Sequence, residues 1–254
     1  MTGARNATTV SVVGDGATTI VLVPGMDGTG KLFYRQVPLL AQEYRVVTYA
    51  LSDAAPTMEV LIEDLASIID AVSPDRTAVV MGESFGGALA LSLGLTRPQQ
   101  VTGLVILNSF PFFAPQWRLR LAIAGLQLMP WGAMGLVRRL TASRLHSRHT
   151  HRDEIARFMQ LTAATTREGY VGRLRILTQY DVRQQLQHLR VPTLFLAADC
   201  DHLVPSVTQA QYMAARVPKS RVRILEGHGH TCLIAPDIDL RQLLEDWRRE
   251  RSRT

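Results

Sequence analysis

The chain has 254 residues, of which 46% are hydrophobic and 20% charged, and carries a formal net charge of +6. That length can bury a sizeable core as one large α/β domain or two small ones. The excess charge is arginine scattered through the middle and end of the chain, without aromatic interleaving, so it reads as a solvated basic face and argues against nucleic-acid binding.

The start, Met1-Thr2-Gly3-Ala4-Arg5-Asn6-Ala7, lacks the apolar stretch of a signal peptide, and no apolar run reaches the roughly 18 residues of a membrane span. A cytoplasmic protein without stable membrane insertion is expected. Two cysteines, Cys200 and Cys232, do not make a disulfide framework. Disorder is expected only in the first few residues and in the Arg-rich tail from Trp247.

Residues 7–13 alternate and are rich in β-formers, Gly14-Asp15-Gly16 is a turn signal, and Thr18 to Val23 is a second strand, so the chain is expected to open on a hairpin. The loop Pro24-Gly25-Met26-Asp27-Gly28-Thr29-Gly30 leads to a helix over 32–42. A short strand at 44–50 precedes a helix over 58–72, where Val60, Leu61, Leu65, Ile68 and Ile69 share a face. Val79-Val80-Met81 then enters Gly82-Glu83-Ser84-Phe85-Gly86-Gly87 and leaves into an Ala/Leu-rich helix ending near Pro98. Val101 to Leu107 is another strand, closing at Asn108-Ser109. Residues 111–188 show no convincing strand, and helices are expected near 119–128, 135–140, 153–165 and 180–189. The earlier rhythm resumes with a strand at 191–197, a helix over 206–215, a strand at 221–225 and a helix over 238–249. Strands rich in Val, Ile and Leu alternating with helices indicate an α/β fold, its mostly parallel sheet covered by helices on both faces. The expected organisation is one sheet domain, 1–110 with 189–254, interrupted by a helical cap, 111–188.

Gly82-Glu83-Ser84-Phe85-Gly86 has the strand–turn–helix context of a nucleophile elbow, in which the glycines let strand and helix approach. A serine nucleophile needs a histidine to take its proton and an acid to orient that histidine. In a doubly wound sheet both should lie in loops at the carboxyl ends of later strands. Ala198-Asp199-Cys200-Asp201-His202 is one such loop, and Glu226-Gly227-His228-Gly229-His230-Thr231 is the next. Spacing leaves Asp199 and Asp201 open for the acid, and His228 and His230 open for the base. An oxyanion hole requires two preorganised amides. Phe85, after the nucleophile, supplies one, and Met26, in the close-approaching Gly25 loop, is expected to supply the other.

The chain resembles the α/β-hydrolase superfamily across essentially its whole length. Gly82-Glu83-Ser84-Phe85-Gly86-Gly87 resembles the family elbow, Asp201-His202-Leu203-Val204-Pro205 the common acid loop, and Gly229-His230 the common histidine turn. The resemblance implies Asp201 as the acid and His230 as the base. Pro24 to Gly30, together with the elbow, is also similar to the hydrolase part of phytyl ester synthase-like proteins, which implies acyl transfer as well as ester hydrolysis. Many family members carry His-Gly before the oxyanion residue, where this chain has Pro24-Gly25. Some relatives carry the acid after the strand that ends at Asn108, and asparagine cannot serve as one.

The function expected is hydrolysis of a carboxylic ester or thioester through an acyl-enzyme on Ser84, with a small ester or acyl molecule as substrate and no cofactor. An acyltransferase using the same triad and a non-catalytic binding protein of the same fold are the alternatives. Gly25, Asp27, Phe110, Met129 and Trp131 are the expected substrate contacts, the last two through an acyl pocket in the cap. Gly25 to Lys31 also fits Gly-x4-Gly-Lys, but Leu32 stands where a phosphate-binding loop needs a hydroxyl for Mg²⁺. His146, His149 and His151 read as a solvated basic turn, so no metal site is expected.

Overall fold

The Val, Ile and Leu runs form strands whose alternate side chains face opposite layers, and this period of two builds the core. The computed structural model describes residues 9–113, 116–146 and 149–253, with backbone alone for 138 and 140–144. Its strands are β1 (Val10–Val13), β2 (Thr19–Val23), β3 (Arg45–Tyr49), β4 (Ala78–Glu83), β5 (Val101–Leu107), β6 (Thr193–Ala198) and β7 (Ser220–Leu225). They form one sheet in the order β1-β3-β2-β4-β5-β6-β7, parallel throughout except where β1 meets β3.

The helices are α1 (Gln36–Leu40), α2 (Met58–Val72), α3 (Phe85–Thr96), α4 (Gln116–Leu128), α5 (Met134–Leu145), α6 (Arg152–Thr162), α7 (Arg167–Leu177), α8 (Ser206–Ala214) and α9 (Leu240–Arg251). On one face Val21, Val80, Leu104 and Phe195 pack with Leu61, Leu65, Leu89 and Met213 from α2, α3 and α8. On the other, Ile20, Met81, Val105 and Leu194 pack with Leu40, Leu244 and Trp247 from α1 and α9. Each buried Leu or Ile contributes roughly 1.5–3 kcal/mol. Helices α4 to α7 all lie between β5 and β6 in the chain, the stretch where no strand was expected.

Three expectations need correcting. The opening hairpin does not form, and residues 7 and 8 of its first strand lie outside the described residues. β1 pairs antiparallel with β3, while β2 is taken on both edges by β3 and β4. The Gly14–Gly16 turn instead crosses the end of the 41–44 segment, so closely that a Cβ at Gly16 would stand 2.1 Å from the Glu43 carbonyl oxygen. The tail is helical rather than disordered from Trp247 to Arg251, with Trp247 2% exposed beneath Gly103, while Thr254 lies outside the described residues. Residues 180–189 are not a helix but an extended segment and a single 3-10 turn at Leu186–His188. Asp181 there bridges Phe112, and its carboxylate takes the Arg183 guanidinium. The residues of helical propensity just before it form α7 instead.

The strand ends are in step. Val23 pairs with Gly82, Glu83 with Leu107, Leu107 with Leu196 and Ala198 with Leu225. The loops that follow β2, β4, β5, β6 and β7 therefore leave from one edge of the sheet.

Candidate active site

The β4–α3 turn is the most constrained backbone at that edge. Ser84 adopts φ 55°, ψ −118°, a region that residues with a side chain avoid and that costs about 1–3 kcal/mol. The surroundings hold it there. Its N–H donates to the Leu107 carbonyl at 2.9 Å, and its carbonyl accepts from Gly87 N–H at 3.0 Å and the Ser109 hydroxyl at 2.7 Å. A Cβ on Gly82 would lie 2.2 Å from the Gly86 carbonyl oxygen, and one on Gly86 would lie 2.2 Å from that of Val23. Glycine is the residue that fits at both positions.

The loop after β2 comes against this turn. Gly25 faces Glu83 and Ser84, where an added Cβ would stand 3.7 Å from the Ser84 Cβ. Phe85, fully buried, opens α3 directly behind Ser84. Met26 is half-buried, and its carbonyl accepts from the Arg173 Nε at 3.0 Å. The same guanidinium reaches the Asp27 carbonyl at 3.3 Å and the Asp53 carboxylate at 3.0 Å. Sequence reading missed Arg173, which is 2% exposed and reaches the loop from α7. Its signal was a lone arginine on the apolar face made by Val171, Leu174 and Leu177. The Asp27 carboxylate turns back onto its own loop, accepting the Thr29 N–H at 2.8 Å.

The loops after β6 and β7 bring His230 and Asp201 together. Nδ1 of His230 lies 2.7 Å from Oδ2 of Asp201. That oxygen also accepts the Ser206 hydroxyl at 2.5 Å, and Oδ1 accepts the Leu203 and Val204 N–H groups at 2.9 and 3.0 Å. Burial opposes ionisation of Asp201, but the His230 hydrogen bond and charge, with these donors, hold its carboxyl below the ordinary range. An ionised Asp201 fixes Nδ1 as the donor and leaves Nε2 as the acceptor of the neutral ring. Burial would lower the imidazole's pKa, yet the Asp201 bond and the nearby Glu83 raise it above its usual value. Asp199 has a different task, accepting the Gly227 N–H at 2.7 Å and so holding the base of the histidine loop.

Asn108 ties the two halves of this arrangement. Its backbone is left-handed at φ 46°, its Oδ1 accepts the Ala198 N–H at 2.8 Å, and its Nδ2 donates to the His230 carbonyl at 2.8 Å. Glu83 is buried beside them with an unpartnered Oε1. Burial, with Asp27 and Asp201 close by, pushes it up to about 7 against the pull of His230.

The remaining expected residues are placed less centrally. Phe110 is buried edge-on between Phe113 and Tyr180. The Met129 carbonyl accepts from Arg167 and the Trp131 indole donates to the Thr165 carbonyl, and no described hydrogen bond joins either residue to Ser84 or His230. His146 is not in a solvated turn: it is buried edge-on against Phe158 and held to the Thr231 hydroxyl at 2.7 Å, and burial takes its pKa down to about 4. Neither Cys200 nor Cys232 forms a disulfide, and burial pushes the Cys232 thiol up.

A family model of the alpha/beta hydrolase fold matches residues 18–235. The chain belongs to the α/β-hydrolase family. It is 30% identical over 227 residues to the Yersinia enterocolitica protein named "Putative carbamate hydrolase RutD", covering 84% of this chain and 81% of that one. Among solved structures, the enol-lactonase of Burkholderia xenovorans superposes with a TM-score of 0.85 at 18% identity, over 95% of this chain and 96% of that one. A thermophilic esterase of Thermogutta terrifontis gives a TM-score of 0.83 at 22% identity, over 96% of this chain and 93% of that one. At such identities the two structures speak for the α/β-hydrolase fold alone. Membership supports hydrolase activity in general and a small-molecule substrate. Among the described residues no helix is long and apolar enough to cross a membrane.

Proposed function

We propose that this α/β-hydrolase is a cytoplasmic serine hydrolase that cleaves carboxylic ester or thioester bonds through an acyl-enzyme on Ser84. The observation that carries the reading is the left-handed backbone of Ser84 between β4 and α3, at the sheet edge that also bears the bonded His230–Asp201 pair. His230 takes the Ser84 proton at Nε2 as the hydroxyl oxygen attacks the substrate carbonyl. The Met26 and Phe85 amides stabilise the oxyanion, and His230 then returns the proton to the leaving alcohol or thiol. Water, deprotonated by the same ring, releases the acid. Asp201 holds the tautomer and offsets the charge of the imidazolium, and Arg173 and Asn108 position the two loops. Residues 111–188 form the cap, with Gly25, Asp27, Phe110, Met129 and Trp131 shaping the acyl site.

Likeness to RutD favours a second reading, a carbamate in place of the ester. The same nucleophile and oxyanion hole serve both carbonyls.

The deciding experiment is turnover of p-nitrophenyl acetate by Ser84→Ala, with fluorophosphonate labelling of the unaltered chain. A loss of roughly a thousandfold or more and a label on Ser84 are expected. Wild-type turnover by the variant would sink the assignment. In the unaltered chain the rate should climb with pH to a plateau above the usual imidazole range, because His230 acts unprotonated and its pKa is raised. Competing phenyl carbamates against acetates of the same phenol separates the two readings.

A further inference from the structure

Three segments meet on the surface beside the histidine loop: His149 comes from the chain ahead of α6, His228 from the loop itself, and Asp237 from the stretch ahead of α9. One ligand atom from each lies within 4.8 Å of the other two. Oδ2 of Asp237 stands 3.4 Å from Nε2 of His228 and 3.5 Å from Nδ1 of His149. Those separations are long for N–H···O hydrogen bonds, which cluster at about 2.9–3.0 Å. They match the edge of a tetrahedron around an ion bonded to nitrogen and oxygen at about 2.0–2.1 Å, an edge of roughly 3.4 Å. The two rings are stacked with centroids 5.0 Å apart, and a turn of the half-exposed His149 ring would bring both ring planes onto one ion.

The three ligands also differ in burial. His228 is buried, and its carbonyl is pinned by the Cys200 N–H at 2.9 Å. His149 and Asp237 are half-exposed and can close around an ion while a fourth position stays open to water. Two imidazoles and one carboxylate suit a borderline cation such as Zn²⁺, whereas Ca²⁺ and Mg²⁺ take oxygen ligands.

We propose that His149, His228 and Asp237 form a binding site for a divalent transition-metal ion, with Zn²⁺ the best match. Sequence spacing grouped His149 with His146 and His151, whereas the fold gives it ligands from far along the chain. The ion takes no part in the chemistry at Ser84. It joins the segment before α6 to the histidine loop and the approach to α9, so it stabilises the folded chain by mass action.

The test is calorimetric titration of the chelator-treated full chain with ZnCl2, beside His149→Ala and Asp237→Asn. Both changes are at half-exposed side chains, and an unchanged Tm without metal verifies that each variant folds. One Zn²⁺ per chain is expected, with affinity at least tenfold weaker in each variant and the Zn²⁺-dependent rise in Tm lost. The proposal is overturned if the unaltered chain binds no Zn²⁺, or if both variants bind it as tightly as the unaltered chain does.

Discussion

Helices α3 and α4 are of nearly equal length, and both are rich in Leu and Ala, yet they live in different solvents. In α3 every residue from Phe85 to Gly94 is buried, whereas in α4 Leu119 is the one fully buried residue. α3 packs over the face of the paired strands β4 and β5, with glycines where the backbones touch. α4 lies against α7 along a narrow seam of Leu119, Ile123 and Leu126, and leaves Leu128 87% exposed. The contrast separates a region that tolerates almost no change in shape from one whose surface is open to it. Ser84, the proposed nucleophile, sits on the former.

Substitutions that exploit this contrast should fall in a definite order. Gly86→Ala should be the most damaging, because its Cβ would meet the Val23 and Pro24 carbonyl oxygens at 2.2 and 2.6 Å, both rigid backbone. A loss of about 3 kcal/mol or more is expected, lowering Tm by roughly 10 °C in a calorimetric scan. Arg173→Met keeps the buried stem but withdraws the donors from the Met26 and Asp27 carbonyls. It should cost about 2 kcal/mol in denaturant unfolding and lower kcat on p-nitrophenyl acetate more than it changes KM.

Glu83→Gln tests the buried carboxyl through pH. In the folded chain Glu83 holds its proton up to about 7, against an ordinary 4.5, so between those values the native state binds the extra proton. Stability therefore falls as pH rises through that window, by up to about 3 kcal/mol from this group alone. The glutamine variant should show a flatter profile of unfolding free energy between pH 5 and 8. An unchanged slope would mean that Glu83 ionises normally. Leu128→Ala should be the mildest, within about 0.5 kcal/mol of the unaltered chain. A larger loss would show that α4 is covered in solution.

The same contrast governs what could be read from sequence. β4, Ser84 and α3 were legible because apolar runs, glycine spacing and helix propensity agree there. The sheet was legible in its elements but not in its edge. Nothing local in Val10–Val13 says that its partner is β3, a choice made by crossing the 41–44 segment and by β2 having both edges taken. Between β5 and β6 the reading was weaker, because Arg- and Gln-rich segments carry helical propensity whether or not packing uses it. Residues 180–189 had that propensity but are tied down by Asp181 and Arg183. Arg173 showed in the sequence as an arginine on an apolar helix face, but not its partners, two carbonyls some 146 residues away in the chain.

Asn108 has a consequence for how such a site can change over time. The position after β5 is one to which an engineer or an evolving lineage could move the acid. In this chain the side chain is a two-way strap, accepting from β6 through Oδ1 and donating to the histidine loop through Nδ2. An aspartate would keep the first bond and lose the second, setting a carboxylate oxygen against the His230 carbonyl. In the proposed triad the acid's role is therefore tied to Asp201 by Asn108, through its bonds to the Ala198 N–H and the His230 carbonyl. Relocating it would require a new donor for the histidine loop first.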